Sequence, residues 1–338
     1  MTYKPLETSE ELSQIAFGFM ASKALFAGLH IDLFSLLSGG GKTARDISSE
    51  AGIAENRVTT LVTALACVGV LVRNGERYTN SQAAEKFLVK GSRYDFGDYL
   101  RCQIDQQMYP LLLQLNDSLE GKLQPDHLTS YAKWMSDKES TELYSISQHA
   151  GSIAPAQSLA RKLDLSKARN LLDVGGGTGA MTISLCDAYE ALSSTIIDFP
   201  NVAELGQGFI EGTGLGDRVR YISGNALECE WPDRQDVVLM SYLLSGVPGE
   251  RISTLLDKSK RALLPDGRLV LHDFIVEADR SGPPLSALWQ LQHMSFTPEA
   301  QSLSVSWLCD ALTAAGYKVQ KCDELIPGMT KYIVAEPG

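Results

Sequence analysis

The chain has 338 residues, 44% of them hydrophobic and 21% charged, with a formal net charge of −11 at pH 7; that is enough for two domains with their own cores. The acidity argues against nucleic acid as a partner, because neutralising phosphates takes a basic face. Six scattered cysteines, with no C-x-x-C pair among them, suggest neither a zinc site nor a disulfide framework and fit a reducing cytoplasm.

Glu7, Glu10 and Glu11, with no small-residue cleavage site, do not read as a secretory signal. No stretch approaches the roughly eighteen uninterrupted apolar residues of a membrane span. From 9 to 37 the apolar residues, among them Leu12, Ile15, Phe17, Phe19, Met20, Leu25 and Phe26, exceed what one helix face can hide. Two helices packed on both sides, with a partner chain as one possible neighbour, account for this better. TARDISSEAG from Thr43 carries an N-cap signature, 55–70 reads as a second helix, and 71–78 as a small ribbon around Asn74-Gly75. That is a winged-helix pattern. Its second helix has Arg57 as its only basic residue, so it lacks the side chains that read DNA. The helical region 87–165 is rich in aromatic and amide side chains, including Arg101, Gln103, Tyr131, Trp134, Tyr144, Gln148 and His149.

The next stretch, 170–179 (NLLDVGGGTG), organises everything after it. An apolar run ends abruptly in glycines, and Ala180–Ala188 resumes with helical spacing, which predicts strand, tight turn and helix, with a ligand at the strand's carboxyl end. Gly175, Gly177 and Gly179 fall on every second residue, whereas the dinucleotide fingerprint needs two residues between its second and third glycines. Nineteen residues past Gly179, the run STII ends in Asp198-Phe199-Pro200, where a carboxylate can grip a ribose diol. Val219–Ser223 leads to Gly224-Asn225-Ala226, and 236–241 and 268–274 continue an alternation that implies a mostly parallel sheet covered by helices. A loop and helix, 285–294, and a second helix, 305–315, precede a closing antiparallel pair at 316–320 and 331–335.

Asp173-x-Gly175-x-Gly177-x-Gly179 resembles motif I of the class I S-adenosylmethionine (SAM) methyltransferases, and nearly the whole chain resembles their small-molecule O-methyltransferases. The resemblance implies an α/β fold: a Rossmann-like seven-stranded SAM-methyltransferase domain at 166–338, preceded by a mainly α-helical winged-helix dimerisation domain at 1–90 and a helical pocket roof at 91–165. It implies a homodimer in the cytoplasm, a small-molecule substrate, no nucleic acid, no membrane and no metal. SAM would lie against Asp173, Gly175, Gly177, Gly179, Asp198, Phe199 and Ser241, with Asn225 and Ala226 at the adenine, where the family usually has Gly-Asp. Tyr144 to Gln148 stand where the family often has Phe-x-x-x-Met. The implied acceptor contacts are Tyr144, Gln148, His149, Tyr242, Ser245 and His293.

One family feature is missing. After the strand at 236–241 these enzymes typically read Ser-x-x-Leu-His-Asp-Trp-x-Asp-Glu, the histidine taking a proton from the acceptor hydroxyl. This chain reads Ser241-Tyr242-Leu243-Leu244-Ser245-Gly246-Val247-Pro248-Gly249-Glu250, with Ser245 at the histidine position. A serine hydroxyl is a poor general base near neutral pH. Three readings stay open, and none assigns a firm catalytic residue among the candidates Ser245, His272 and His293. A relocated histidine (His149, His272 or His293, with His30 and His127 remote) could serve an O-methyltransferase. The acceptor could need no base, as in the bacterial S-methyltransferases that convert 4-methylthio-2-hydroxybutyrate to its sulfonium in dimethylsulfoniopropionate synthesis; Arg101 could then pair with the carboxylate. Or SAM could be bound without methyl transfer, as in the related pericyclases.

Overall fold

The computed structural model describes residues 4–123 and 131–338, which divide into two units, 4–107 and 108–338. In the first, Thr43 and Asp46 form a reciprocal capping box at the start of helix Ala44–Ala51, which stops at Gly52 in the left-handed conformation (φ 67°). Helix Glu55–Cys67 buries Val58, Val62 and Leu65, spaced to lie on one face, against Leu29, Leu33, Phe34, Leu37 and Ile47. Strands β1 (Lys42–Thr43), β2 (Leu71–Asn74) and β3 (Arg77–Asn80) form an antiparallel sheet in the order β1-β3-β2, so helix, helix and wing take the predicted arrangement.

The apolar excess near the N-terminus lies on helices Ser9–Ala16 and Gly18–His30. Only Phe26, Gly28 and Leu29 there are buried, whereas Leu12, Ile15, Phe17, Phe19 and Met20 are 50–70% exposed. Taken as one run, Ser9–His30 is long and apolar enough by length and composition to cross a membrane, which the count of uninterrupted apolar residues missed. The unit extends past the expected boundary at 90 because Leu100 packs into its core and Gly97 lies close against Leu29.

In the second unit, β4 (Asn170–Val174), β5 (Ser193–Asp198), β6 (Val219–Ser223), β7 (Gln235–Ser241), β8 (Leu263–Asp273), β9 (Tyr317–Ile326) and β10 (Thr330–Pro337) form one seven-stranded sheet in the order β6-β5-β4-β7-β8-β10-β9. The first five run parallel and the last two close it antiparallel. Alternation along β4 sends Leu171 to one face and Leu172 and Val174 to the other. Helices Lys138–Lys162, Ala180–Ala188 and Pro200–Glu211 bury Leu159, Leu185 and Ile210 on the first face. Ile252–Ala262 and Val305–Ala314 bury Leu255 and Leu308 on the second. Strand order reverses between β4 and β7, and a crevice at the strands' carboxyl ends follows from that topology. The helix expected at 285–294 is two short ones, Pro284–Gln290 and His293–Phe296.

Candidate active site

The turn after β4 is built by glycines for three different reasons. Gly175, Gly177 and Gly179 have φ of 68°, 59° and 82°, which side-chain-bearing residues rarely adopt. At Gly176 the need is space: a Cβ would stand 2.7 Å from Asp173 Cγ and 2.8 Å from an Ile196 methyl. At Gly177 a Cβ would meet nothing within 4 Å, so this backbone is open to a ligand. The turn is held by Asp198 at the end of β5, whose Oδ2 accepts the Gly177 N–H at 2.7 Å and whose Oδ1 accepts the Phe199 N–H at 2.8 Å.

Behind the turn, Asp173 is fully buried. Its Oδ2 accepts the Thr182 hydroxyl at 2.8 Å, while Oδ1 has no partner. Burial raises its carboxyl to about 7, and burial likewise raises Asp198 to about 6. Past β6, the Asn225 side-chain carbonyl accepts the Leu227 N–H at 3.0 Å. Asp173, the glycines 175–177, Asp198, Phe199, Asn225, Ala226 and Ser241 all line one cavity of about 330 Å³. Gly179 caps the next helix instead and packs against Ile196 and Ile210.

The other half of the cavity comes from helix Lys138–Lys162, which contributes Tyr144, Ser145, Gln148, His149 and Ser152, and from the loop after β7. Gln148 Nε2 donates to Ser152 Oγ at 3.3 Å. The ring of His149 lies 4.4 Å from that of Phe209, and its Nδ1 is 2.7 Å from Thr178 Oγ1; burial lowers its pKa. Tyr242 leaves β7 with φ 57°, a strained value for a residue with a side chain, and packs beside His272 and Phe274.

The three candidates for a catalytic group take other positions. Ser245 is 3% exposed and does not line the cavity; its N–H and Oγ donate to the two Asp273 oxygens at 3.0 and 2.8 Å. His272 and its neighbour Asp273 lie on opposite faces of β8, as alternation along a strand requires, and have separate partners. His272 Nδ1 lies 2.8 Å from Ser241 Oγ and its Nε2 3.0 Å from Thr330 Oγ1, and burial pushes its pKa down to about 3. It links β7, β8 and β10 and has no open nitrogen. His293, expected at the acceptor, is buried off the cavity; Phe296 and Thr297 line it there instead. His127 lies outside the described residues. Arg101 pairs with Asp98 at 2.6 Å, a local carboxylate partner. Among the described lining residues there is no Lys or Arg, and His149 is the one histidine.

Tyr131 lines the cavity as a member of the expected aromatic roof, whereas Met135, Thr178, Leu243, Gly246 and Phe296 escaped sequence reasoning. The loss of a side chain at 246, at a position where a charged residue was expected, was the available signal.

Residues 127–318 match the O-methyltransferase domain family and residues 13–90 the O-methyltransferase dimerisation domain. The tetracenomycin polyketide synthesis 8-O-methyl transferase TcmO of Streptomyces glaucescens is 27% identical over 307 residues, covering 89% of this chain and 90% of its own. The N,N-dimethyltransferase OxyT of Streptomyces rimosus is 27% identical, covering 95% and 94%. Human N-acetylserotonin methyltransferase, solved in complex with SAM, shares the fold with a TM-score of 0.85 at 19% identity over 100% of both chains. With the family match spanning more than half its length, the chain belongs to the O-methyltransferase family and is a methyltransferase that joins a dimerisation domain to a catalytic domain.

Proposed function

We propose that this protein methylates an acceptor that has no proton to lose, a small thioether of the 4-methylthio-2-hydroxybutyrate type, using SAM. The observation that carries this is the clamp on Ser245: the side chain at the family's base position is a hydroxyl, sealed and tied to Asp273. His272 and His293 do not replace it, since neither lines the cavity.

The residues fit the cofactor. The open face of Gly177 admits a ligand against the backbone, each Asp198 oxygen keeps a lone pair for a diol, and Asn225 keeps its amide N–H groups for a base edge while its carbonyl is engaged. The unpartnered Oδ1 of Asp173 is an acceptor in want of a donor. When bound, SAM supplies a methyl carbon on a positively charged sulfur that keeps the C–S bond pair, so a thioether need offer only a lone pair. What remains for the chain is alignment and removal of water. Tyr144, Gln148 and Tyr242 are the polar side chains placed to align the acceptor, and neutral donors meet its carboxylate. The reading also places the protein in a reducing cytoplasm, in keeping with six free cysteines, as a homodimer formed through the exposed Leu12, Ile15, Phe17, Phe19 and Met20 face.

The test is S-adenosylhomocysteine (SAH) formation at saturating SAM, with 4-methylthio-2-hydroxybutyrate against a phenol such as caffeate, from pH 6 to 9. Turnover of the thioether alone, flat above pH 7, is the expected result. A second reading has one observation in its favour: His149 lines the cavity and is held neutral, so it could take a proton. Phenol turnover that rises with pH and is lost in His149→Gln would establish that reading instead.

SAH binding carries its own pH signature. Protonation of Asp198 near 6 removes acceptor capacity at the diol, so affinity is full above pH 7 and weakens as pH falls. Below the pKa the loss approaches about tenfold per pH unit for one coupled proton. Calorimetric titration at pH 7.5 and 5 measures it.

A further inference from the structure

Gly246 has no conformational reason to be glycine, since its φ lies outside the left-handed region. Its reason is a neighbour: a Cβ there would stand 2.6 Å from Cε2 of Tyr131 and 3.1 Å from Cδ2, well inside van der Waals contact. The Tyr131 ring fills the slot that a side chain at 246 would occupy. It meets Phe296 edge-on at 4.3 Å and Tyr144 at 5.8 Å, and its hydroxyl is hydrogen-bonded with Tyr144. Tyr131, Tyr144, Gly246 and Phe296 all line the cavity. Burial, together with the Asp273 charge, pushes the Tyr131 phenol up to about 12, so it stays protonated and is no base.

Aromatic faces attract cations through their quadrupole. The described lining adds the carboxylates of Asp173, Asp198 and Glu299 and no Lys or Arg. We propose that Tyr131, admitted by Gly246, is a specificity-determining residue: with Tyr144 and Phe296 it forms an aromatic wall that selects an acceptor whose methylated form is a sulfonium cation. This deepens the thioether reading and rests on it, and it makes the glycine at 246 and the tyrosine at 131 one device.

The experiment compares wild type with Gly246→Ala, Tyr131→Ala, their double variant and Tyr131→Phe. Calorimetry on the SAH complex measures binding of the sulfonium 4-dimethylsulfonio-2-hydroxybutyrate and of 2-hydroxy-5-methylhexanoate, the isostere whose dimethyl end carries no charge. Wild type is expected to prefer the sulfonium by about tenfold, the scale of a desolvated cation–aromatic contact. Tyr131→Phe keeps that preference, Tyr131→Ala and Gly246→Ala lose most of it, and the double variant is no worse than Tyr131→Ala. SAH affinity stays within about twofold throughout, which separates loss of the wall from loss of the fold. An undiminished preference in Tyr131→Ala, or fully additive losses in the double variant, overturns the proposal even if the thioether is turned over. A preference that depends on Tyr131 with no turnover of the thioether overturns the thioether reading and, with it, the acceptor selection that rests on it.

Discussion

Replacing Asp198 by alanine lowers SAH affinity by about a hundredfold or more. The carboxylate does two things at once: it holds the Gly177 and Phe199 N–H groups at 2.7 and 2.8 Å, and it presents its remaining lone pairs to the cavity. Hydrogen bonds to a charged group contribute about 1.5–3 kcal/mol each, and two N–H groups left unpaired add their desolvation cost. Much of that cost falls on the free protein, whose glycine turn loses its tether, so a drop in thermal stability accompanies the drop in affinity. Asp198→Asn is nearly as damaging, because one of its two positions becomes an NH₂ facing a backbone donor. Titration calorimetry with SAH measures the effect; an unchanged dissociation constant would remove Asp198 from the cofactor site.

Restoring the family's histidine does not restore phenol methylation. Ser245 is 3% exposed, and an imidazole forced into that space overpacks it at a cost of about 1–3 kcal/mol. Asp273 Oδ1 also loses one of its two donors, the Ser245 hydroxyl, and keeps the Phe274 N–H at 2.8 Å. Ser245→His is therefore expected to lose stability and to gain no turnover with caffeate, while thioether turnover in the fraction that folds changes little. Ser245→Ala isolates the second term, about 1.5–3 kcal/mol for one hydrogen bond lost from a charged group that keeps its backbone donors.

The pH dependence identifies that term. Burial already raises the Asp273 carboxyl to about 6, above its value in the unfolded chain, and removing the Ser245 hydroxyl raises it further. A raised carboxyl is a charge the fold holds reluctantly, so the deficit of Ser245→Ala is fully present well above pH 6. It shrinks as pH falls toward 4 and the group becomes neutral in both proteins. Urea unfolding at pH 7.5 and pH 5 reads the difference; a deficit independent of pH would mean that Asp273 is not the group affected.

The geometry also explains why a position that ordinarily holds the base can be a structural one. Gly246 and Tyr131 close the space beside Ser245 with an aromatic ring, and Asp273 takes up the hydroxyl and the backbone N–H. What reaches the cavity from this segment is Tyr242, Leu243, Gly246, Val247 and Pro248, which offer a phenol and apolar surface.

Much of the cofactor side was legible in the chain because it is local. A strand's period, three glycines on alternate residues and a helix after them specify a turn whose backbone conformation depends on the residues in it. The acidic residue ending the next strand follows from the regular length of a strand–helix–strand unit. The absence of histidine at 245 was equally plain, being a matter of identity at one position. The direction in which His272, Asp273 and His293 point was not, because a one-residue difference exchanges the faces of a strand and turns a side chain about 100° around a helix. Burial against a sheet, which sets the pKa values of these groups, is likewise a property of the packed layers. The pairing of Gly246 with Tyr131 lay furthest from view: the missing side chain has its cause in a ring from a distant helix, and only packing in three dimensions brings them within 2.6 Å. Residue types and their local spacing thus determined the fold and the cofactor turn, while long-range packing, which no local spacing encodes, decided which side chains face the acceptor.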